Sequence, residues 1–176
     1  MAPRHLGLLG LAAAALCVSS AQADESAVDC AAAPALPAAL AGWGRSAGLQ
    51  AIDRGDPAAL AASSSLGGNR TTVSLHLMNR VEFPVAPGKT VLSDRYGGMI
   101  RVDVAKAGRL QVVLGEGAWI DLVRAGSVVA SVEHGHGPSR SGIRKIVAFD
   151  VEPGAYVLQI ANAPRPAIDA MAIAPE

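Results

Sequence analysis

From Arg70 onward, aliphatic side chains recur at every second position in short runs, broken by Gly and Pro at intervals of roughly eight to twelve residues, the spacing expected of an all-β sandwich. Thr71 to Met78 sets Val73, Leu75 and Leu77 against Thr72, Ser74 and His76, and successive side chains of a strand point to opposite faces. His76 is therefore expected to point outward. Val81 to Val85 alternates in the same way, but Pro84 restricts it to an edge position, and Ala86-Pro87-Gly88 reads as a turn. Met99 to Val104, Leu110 to Leu114, Trp119 to Arg124, Val128 to Val132, Ile143 to Val151, Tyr156 to Ile160 and Ile168 to Ile173 follow, and seven or eight strands can be drawn. The fold expected is all-β: two packed antiparallel sheets burying their aliphatic faces at about 25 cal/mol per Å2.

Before Arg70 the texture is different. Residues 24–69 are dense in Ala, Pro, Gly and Ser with no sustained period, which reads as an irregular leader. Ala38 to Trp43 and Ala58 to Ala62 are its candidates for short helical turns, and Trp43 is the one large side chain able to anchor it. Residues 1–23 carry Arg4 and His5, the apolar run Leu6 to Val18, and Ala21-Gln22-Ala23, the pattern of a secretory signal cleaved after Ala23. The apolar run is too short to span a bilayer, which takes about 20 residues. Leu16 before Cys17 argues against lipid anchoring. The organisation expected is thus a signal peptide over 1–23, a leader over 24–69 and a β-sandwich over 70–176, in the periplasm or secreted, with no transmembrane segment. After cleavage Cys30 is the only thiol, so no intrachain disulfide forms.

Charge narrows the partners. The chain balances 15 Lys+Arg against 15 Asp+Glu without a basic run, which removes the electrostatic basis for binding nucleic acid or an anionic membrane surface. Only 3% of residues are aromatic, so the core must be built from Val, Leu, Ile and Ala.

Two resemblances follow from particular segments. Met99 to Gly108, Arg109 to Leu114, Ala118-Trp-Ile-Asp-Leu-Val123 and Val151-Glu-Pro-Gly-Ala-Tyr-Val-Leu-Gln-Ile160 together resemble the bacterial pre-peptidase C-terminal domain across residues 99–174. That resemblance implies a jelly-roll-like sandwich and a noncatalytic accessory role. The Ala-Trp-Ile-Asp segment and the His134-Gly-His-Gly-Pro138 loop are similar to those of small exported proteobacterial proteins, some labelled homogentisate 1,2-dioxygenase. The label implies an iron site of two His and a carboxylate. Here the fourth residue after His136 is Arg140, where a cupin places its carboxylate, and no His follows His136.

Glu133-His134-Gly135-His136-Gly137-Pro138-Ser139-Arg140-Ser141-Gly142 is the only concentrated set of ionisable groups in the chain. In extended backbone His134 and His136 project to one side and are candidate ligands for a divalent metal, Zn or Fe, with Glu133, Asp121 or His76 as the third. The bland alternative is a solvated turn whose glycines supply positive φ. A third reading is an anion site made by glycine amides with Arg140, Arg144 and Lys145, suited to phosphate or carboxylate. Trp119 and Asp121 share one side of their strand, and Trp119 is a candidate ligand-binding residue. If Ile120 and Leu122 face the core, Trp119 is partly exposed; in the opposite register Trp119 is in the core and Asp121 is buried, drawing partners from the His loop. No Gly-x-Ser-x-Gly, His-Glu-x-x-His, Gly-Lys-Ser or Cys-x-x-Cys motif occurs. The functional expectation is an exported, noncatalytic binding or accessory module for a small-molecule, glycan or envelope-protein partner. The alternatives are a small metal-dependent oxygenase and a structural envelope protein.

Overall fold

The structure is a computed structural model describing residues 35–44 and 46–175; the signal segment expected over 1–23, its expected cleavage after Ala23, Cys17 and Cys30 lie outside the described residues. Eleven strands form two sheets among them. The six-stranded sheet contains β1 (Ala47–Gln50), β2 (Thr71–Ser74), β5 (Gly108–Leu114), β8 (Ser131–Gly135), β9 (Lys145–Val151) and β11 (Ala167–Ile173), ordered β1-β2-β11-β5-β9-β8. The five-stranded sheet contains β3 (His76–Leu77), β4 (Tyr96–Val104), β6 (Trp119–Arg124), β7 (Ser127–Val129) and β10 (Gly154–Ala163), ordered β3-β4-β10-β6-β7. Every neighbouring pair is antiparallel except β1 with β2. The chain is an all-β two-sheet sandwich.

The alternating aliphatic positions meet between the sheets. Ile100, Val102 and Val104 from β4, Leu110, Val112 and Leu114 from β5, and Leu158 and Ile160 from β10 are all buried in one cluster with Phe149. Two of the expected single strands are in fact divided. Leu75 carries the chain from β2 in one sheet to β3 in the other, and Ala130 does the same between β7 and β8. This change of sheet breaks the facing pattern, so Leu77, expected to be inward, is 38% exposed. Val81 to Val85 is not a strand: Glu82 makes only an isolated bridge to Arg54. Pro84 has no N–H to donate, and the Val85 N–H goes to the side chain of Gln159 instead.

The leader is more integrated than its composition suggests. Its two helical turns form as a 3-10 helix at Ala38–Gly44 and α1 at Pro57–Ala62. The Asp56 carboxylate caps α1 by accepting from Ala58 N–H, with Pro57 at the first helical position. Between them β1 joins the edge of the six-stranded sheet. Trp43 is only 3% exposed and packs with Leu40, Val113, Ile143 and Met171 in a second cluster. Its indole N–H donates to the Ser141 carbonyl at 3.1 Å. A further 3-10 turn at Met78–Arg80 lies outside the leader, where short helices were not expected.

The Glu152-Pro153-Gly154 turn, which carries the chain from β9 in one sheet to β10 in the other, is self-fastened. The Tyr156 hydroxyl donates to the Glu152 carbonyl at 2.7 Å and accepts from the Glu152 N–H at 3.0 Å. Arg124 lies over the Tyr156 ring and donates to the Pro153 carbonyl. Gly154 takes φ +147, backbone that other residues rarely adopt. No helix among the described residues is long and apolar enough to cross a membrane.

Candidate functional site: a basic cleft beside Trp119

Ile120 and Leu122 of β6 face the core, which sends Trp119 and Asp121 to the outer side of the five-stranded sheet. Asp121 is nevertheless only 6% exposed. Residues 85–95 cross this outer face as a strap, and polar side chains of the sheet hold the strap's backbone. Gln159, 1% exposed, accepts from the Val85 N–H and donates to the Val85 carbonyl. Asp121 accepts from the Gly88 N–H at 3.0 Å, and Asn162 accepts from the Leu92 N–H and donates to the Thr90 carbonyl. Buried polar groups must find partners, and here their partners are the otherwise unpaired backbone groups of a loop. The register with Ile120 and Leu122 inward and Trp119 partly exposed is the one observed, but Asp121 is buried in it as well, which the alternation reserved for the opposite register. Its partners are the strap and the Trp119 indole N–H at 2.9 Å, not the His loop.

The strap carries Lys89, Leu92 and Arg95 to one side of an open cleft of about 570 Å3. Trp119, His134, His136, Arg144 and Lys145 line the other sides. Lys89 and Lys145 both place their ammonium groups near the Trp119 ring, at 5.9 and 5.7 Å from its centroid, within reach of the ring quadrupole. Lys145 also donates to the Ala118 carbonyl at 3.0 Å. Partial burial lowers the Lys145 pKa from its ordinary 10.5, the positive charge of Lys89 lowers it further, and Asp121 opposes both. Lys145 is therefore a cation held at a cost, beside a second cation. Folding must bear that cost wherever the ammonium is charged. The unfolded chain binds the proton more tightly, so stability rises with pH from the lowered pKa towards 10.5. Lys145→Met is expected to flatten that rise relative to the parent protein in denaturant titrations between pH 7 and 11. An equal rise in both proteins would show that Lys145 bears no such cost.

The sequence-derived candidates do not all gather here. His134 and His136 line the cleft, but residues 133–135 belong to β8 rather than to a loop. His136 Nδ1 donates to the Arg144 carbonyl at 2.8 Å, so Nε2 is the ring nitrogen outside that bond. Glu133 pairs with Arg109 at 3.4 Å. His76 stands in the other sheet on β3, donating to the Ala51 carbonyl at 2.9 Å. Among the described residues, no three His, Cys, Asp or Glu side chains are placed to hold a metal ion. Arg144 and Lys145 border the cleft, whereas Arg140 is not among the residues lining it. Nor do Gly135 and Gly137 take positive φ; Gly142 does, and so does Arg140 itself, at +61. Gly137 is needed for a different reason, since a Cβ there would lie 2.3 Å from that of Ile143.

Lys89, Leu92, Arg95 and Asn162 were not singled out from the sequence. The available signal was Gln159, a polar residue on the outward side of a central strand, which implies a polar cover over that face. Comparisons with protein-family models, with curated proteins and with solved structures find no match to this chain.

Proposed function

We propose that this chain is an exported, noncatalytic binding module that holds an anionic ligand in the basic cleft. One observation carries the reading: Lys89, Arg95, Arg144 and Lys145 line the cleft together with two histidines, and among the described residues no carboxylate lines it. The nearby Asp121 is engaged by Trp119 and Gly88. An anion there gains charge-assisted hydrogen bonds and relieves the repulsion between Lys89 and Lys145. The jelly-roll-like, accessory-domain resemblance is consistent with binding rather than turnover.

Calorimetric titration with inorganic phosphate and with acetate at low salt tests this. Hydrogen bonds to charged groups contribute about 1.5–3 kcal/mol each, so Lys89→Gln/Lys145→Gln is expected to weaken binding at least tenfold. Unchanged binding in that double variant would overturn the reading. Affinity should also decline with rising pH, starting below the range of an ordinary lysine, because Lys145 loses its proton early. The other charged groups facing it are Lys89, Arg95, Arg144 and Asp121, with His134 and His136 at the cleft margin.

Zn2+ or Fe2+ on the two loop histidines is the rival use of the same surface. Without a third side-chain ligand among the described residues, Zn2+ titration at neutral pH is expected to show only weak binding. Tight Zn2+ binding that disappears in His134→Ala/His136→Ala would favour the metal-centre reading instead.

A further inference from the structure

The basic cleft does not end at Trp119. A second chamber of about 450 Å3 adjoins it, sharing Trp119, His134 and Lys145 as common walls. This chamber runs between the sheets at the corner where Ala130 carries the chain from β7 to β8. Its lining is mainly aliphatic and aromatic: Ile120, Val128, Val129, Val147 and Phe149. The sandwich leaves this space for a compositional reason. β7 has only three residues, β8 is exposed along its whole length, and few aromatic side chains exist to fill a gap.

We infer that the ligand is a free, small amphipathic anion, with its carboxylate or phosphate head in the basic cleft and its apolar body in the chamber between the sheets. This rests on the anion-binding reading and adds the class of molecule. The orientation follows from charge. Lys89, Arg95 and Arg144 line the outer cleft but not the inner chamber, whose walls are mainly aliphatic and aromatic, so an anionic head is drawn to the cleft and an apolar body to the chamber. Lys145 stands at the junction. Its ammonium bonds to the Ala118 carbonyl near the Trp119 ring, and its side chain forms part of both linings, a division of polar tip and apolar stem suited to a head-tail boundary. The exposed Val128 and Val132 lie at the same corner; covering Val128 removes apolar surface from water, which favours the apolar body over a purely hydrated anion.

Binding of acetate, hexanoate and decanoate to the whole protein, below their aggregation concentrations, tests the inference. Burial of each methylene contributes about 0.8 kcal/mol, so affinity is expected to rise by up to about fourfold per carbon until the chamber is full. Ala130→Phe, at an exposed position on the chamber wall, is expected to end that rise at a shorter chain. Lys89→Gln/Lys145→Gln should weaken every member of the series by a similar factor. If hexanoate and decanoate bind no tighter than acetate while phosphate still binds, the amphipathic assignment fails and the anion site stands. If no anion binds, both fail. Decanoate binding unaffected by the loss of both lysines would overturn the placement of the head. Co-sedimentation with phosphatidylglycerol vesicles, absent the chain-length effect, would assign the anion to a bilayer surface and overturn the free-molecule form.

Discussion

Trp43→Ala is expected to destabilise the protein by about 3–5 kcal/mol, the range for removing a large buried aromatic side chain. The indole fills a cluster on the outer side of the six-stranded sheet, against Val113 and Met171, both fully buried. Its loss leaves a cavity and also releases the 3-10 helix at Ala38–Gly44, which supplies Leu40 to the same cluster. The indole N–H bond to Ser141 ends with it, so the segment preceding β9 loses a tether. Trp43→Phe keeps most of the packing and forfeits the hydrogen bond, worth about 0.5–1.5 kcal/mol. Equilibrium denaturation of both variants separates the contributions. A cost below about 1 kcal/mol for Trp43→Ala would mean that residues 35–44 are an appendage, and the second cluster would then be unimportant to stability.

The contrast between Val113 and Val112 shows what the period-two pattern conveys and what it leaves out. Val112 faces the sheet interface as the alternation requires, yet Val113, on the opposite face, is equally buried because the leader covers it. Alternation reports which residues share a face, not what lies over each face. The same limit explains Leu75 and Ala130. A strand that changes sheets keeps its local pattern through the crossing, so Thr71 to Met78 and Val128 to Val132 each read as one strand. Parallel pairing of β1 with β2 was invisible for another reason: Ala47-Gly48-Leu49-Gln50 has no strand propensity of its own and is ordered by its neighbour.

For the site, proximity in sequence misdirected attention. The conspicuous His loop supplies one margin of the cleft, but half of its cations come from the strap, some forty residues earlier in the chain. Lys89 and Arg95 follow the Ala86-Pro87-Gly88 turn, in a segment that carries no strand pattern. Only the buried Asp121 and Gln159 reveal from the strand side that this segment is fixed in place. Asp121 therefore links fold and site, and its replacement has consequences for both.

Asp121→Ala is expected to cost about 1–3 kcal/mol, the penalty for leaving buried donors without an acceptor, since the Gly88 and Trp119 N–H groups lose theirs together. The strap then loses one of its three side-chain anchors, and Lys89 and Arg95 are no longer held over the cleft. Anion affinity should fall in consequence, although a negative charge has been removed from the neighbourhood. Asp121→Asn separates the two effects. Its side-chain carbonyl can accept the same hydrogen bonds while the charge near Lys145 disappears, so the strap stays seated and attraction for the anion grows. The expected result is opposite signs: weaker phosphate binding in Asp121→Ala and binding as tight or tighter in Asp121→Asn, measured by calorimetry alongside denaturation. If both variants weaken binding equally, the charge of Asp121 matters and its grip on the strap does not. If neither alters binding, the anion is not held against the Lys89 and Lys145 side of the cleft.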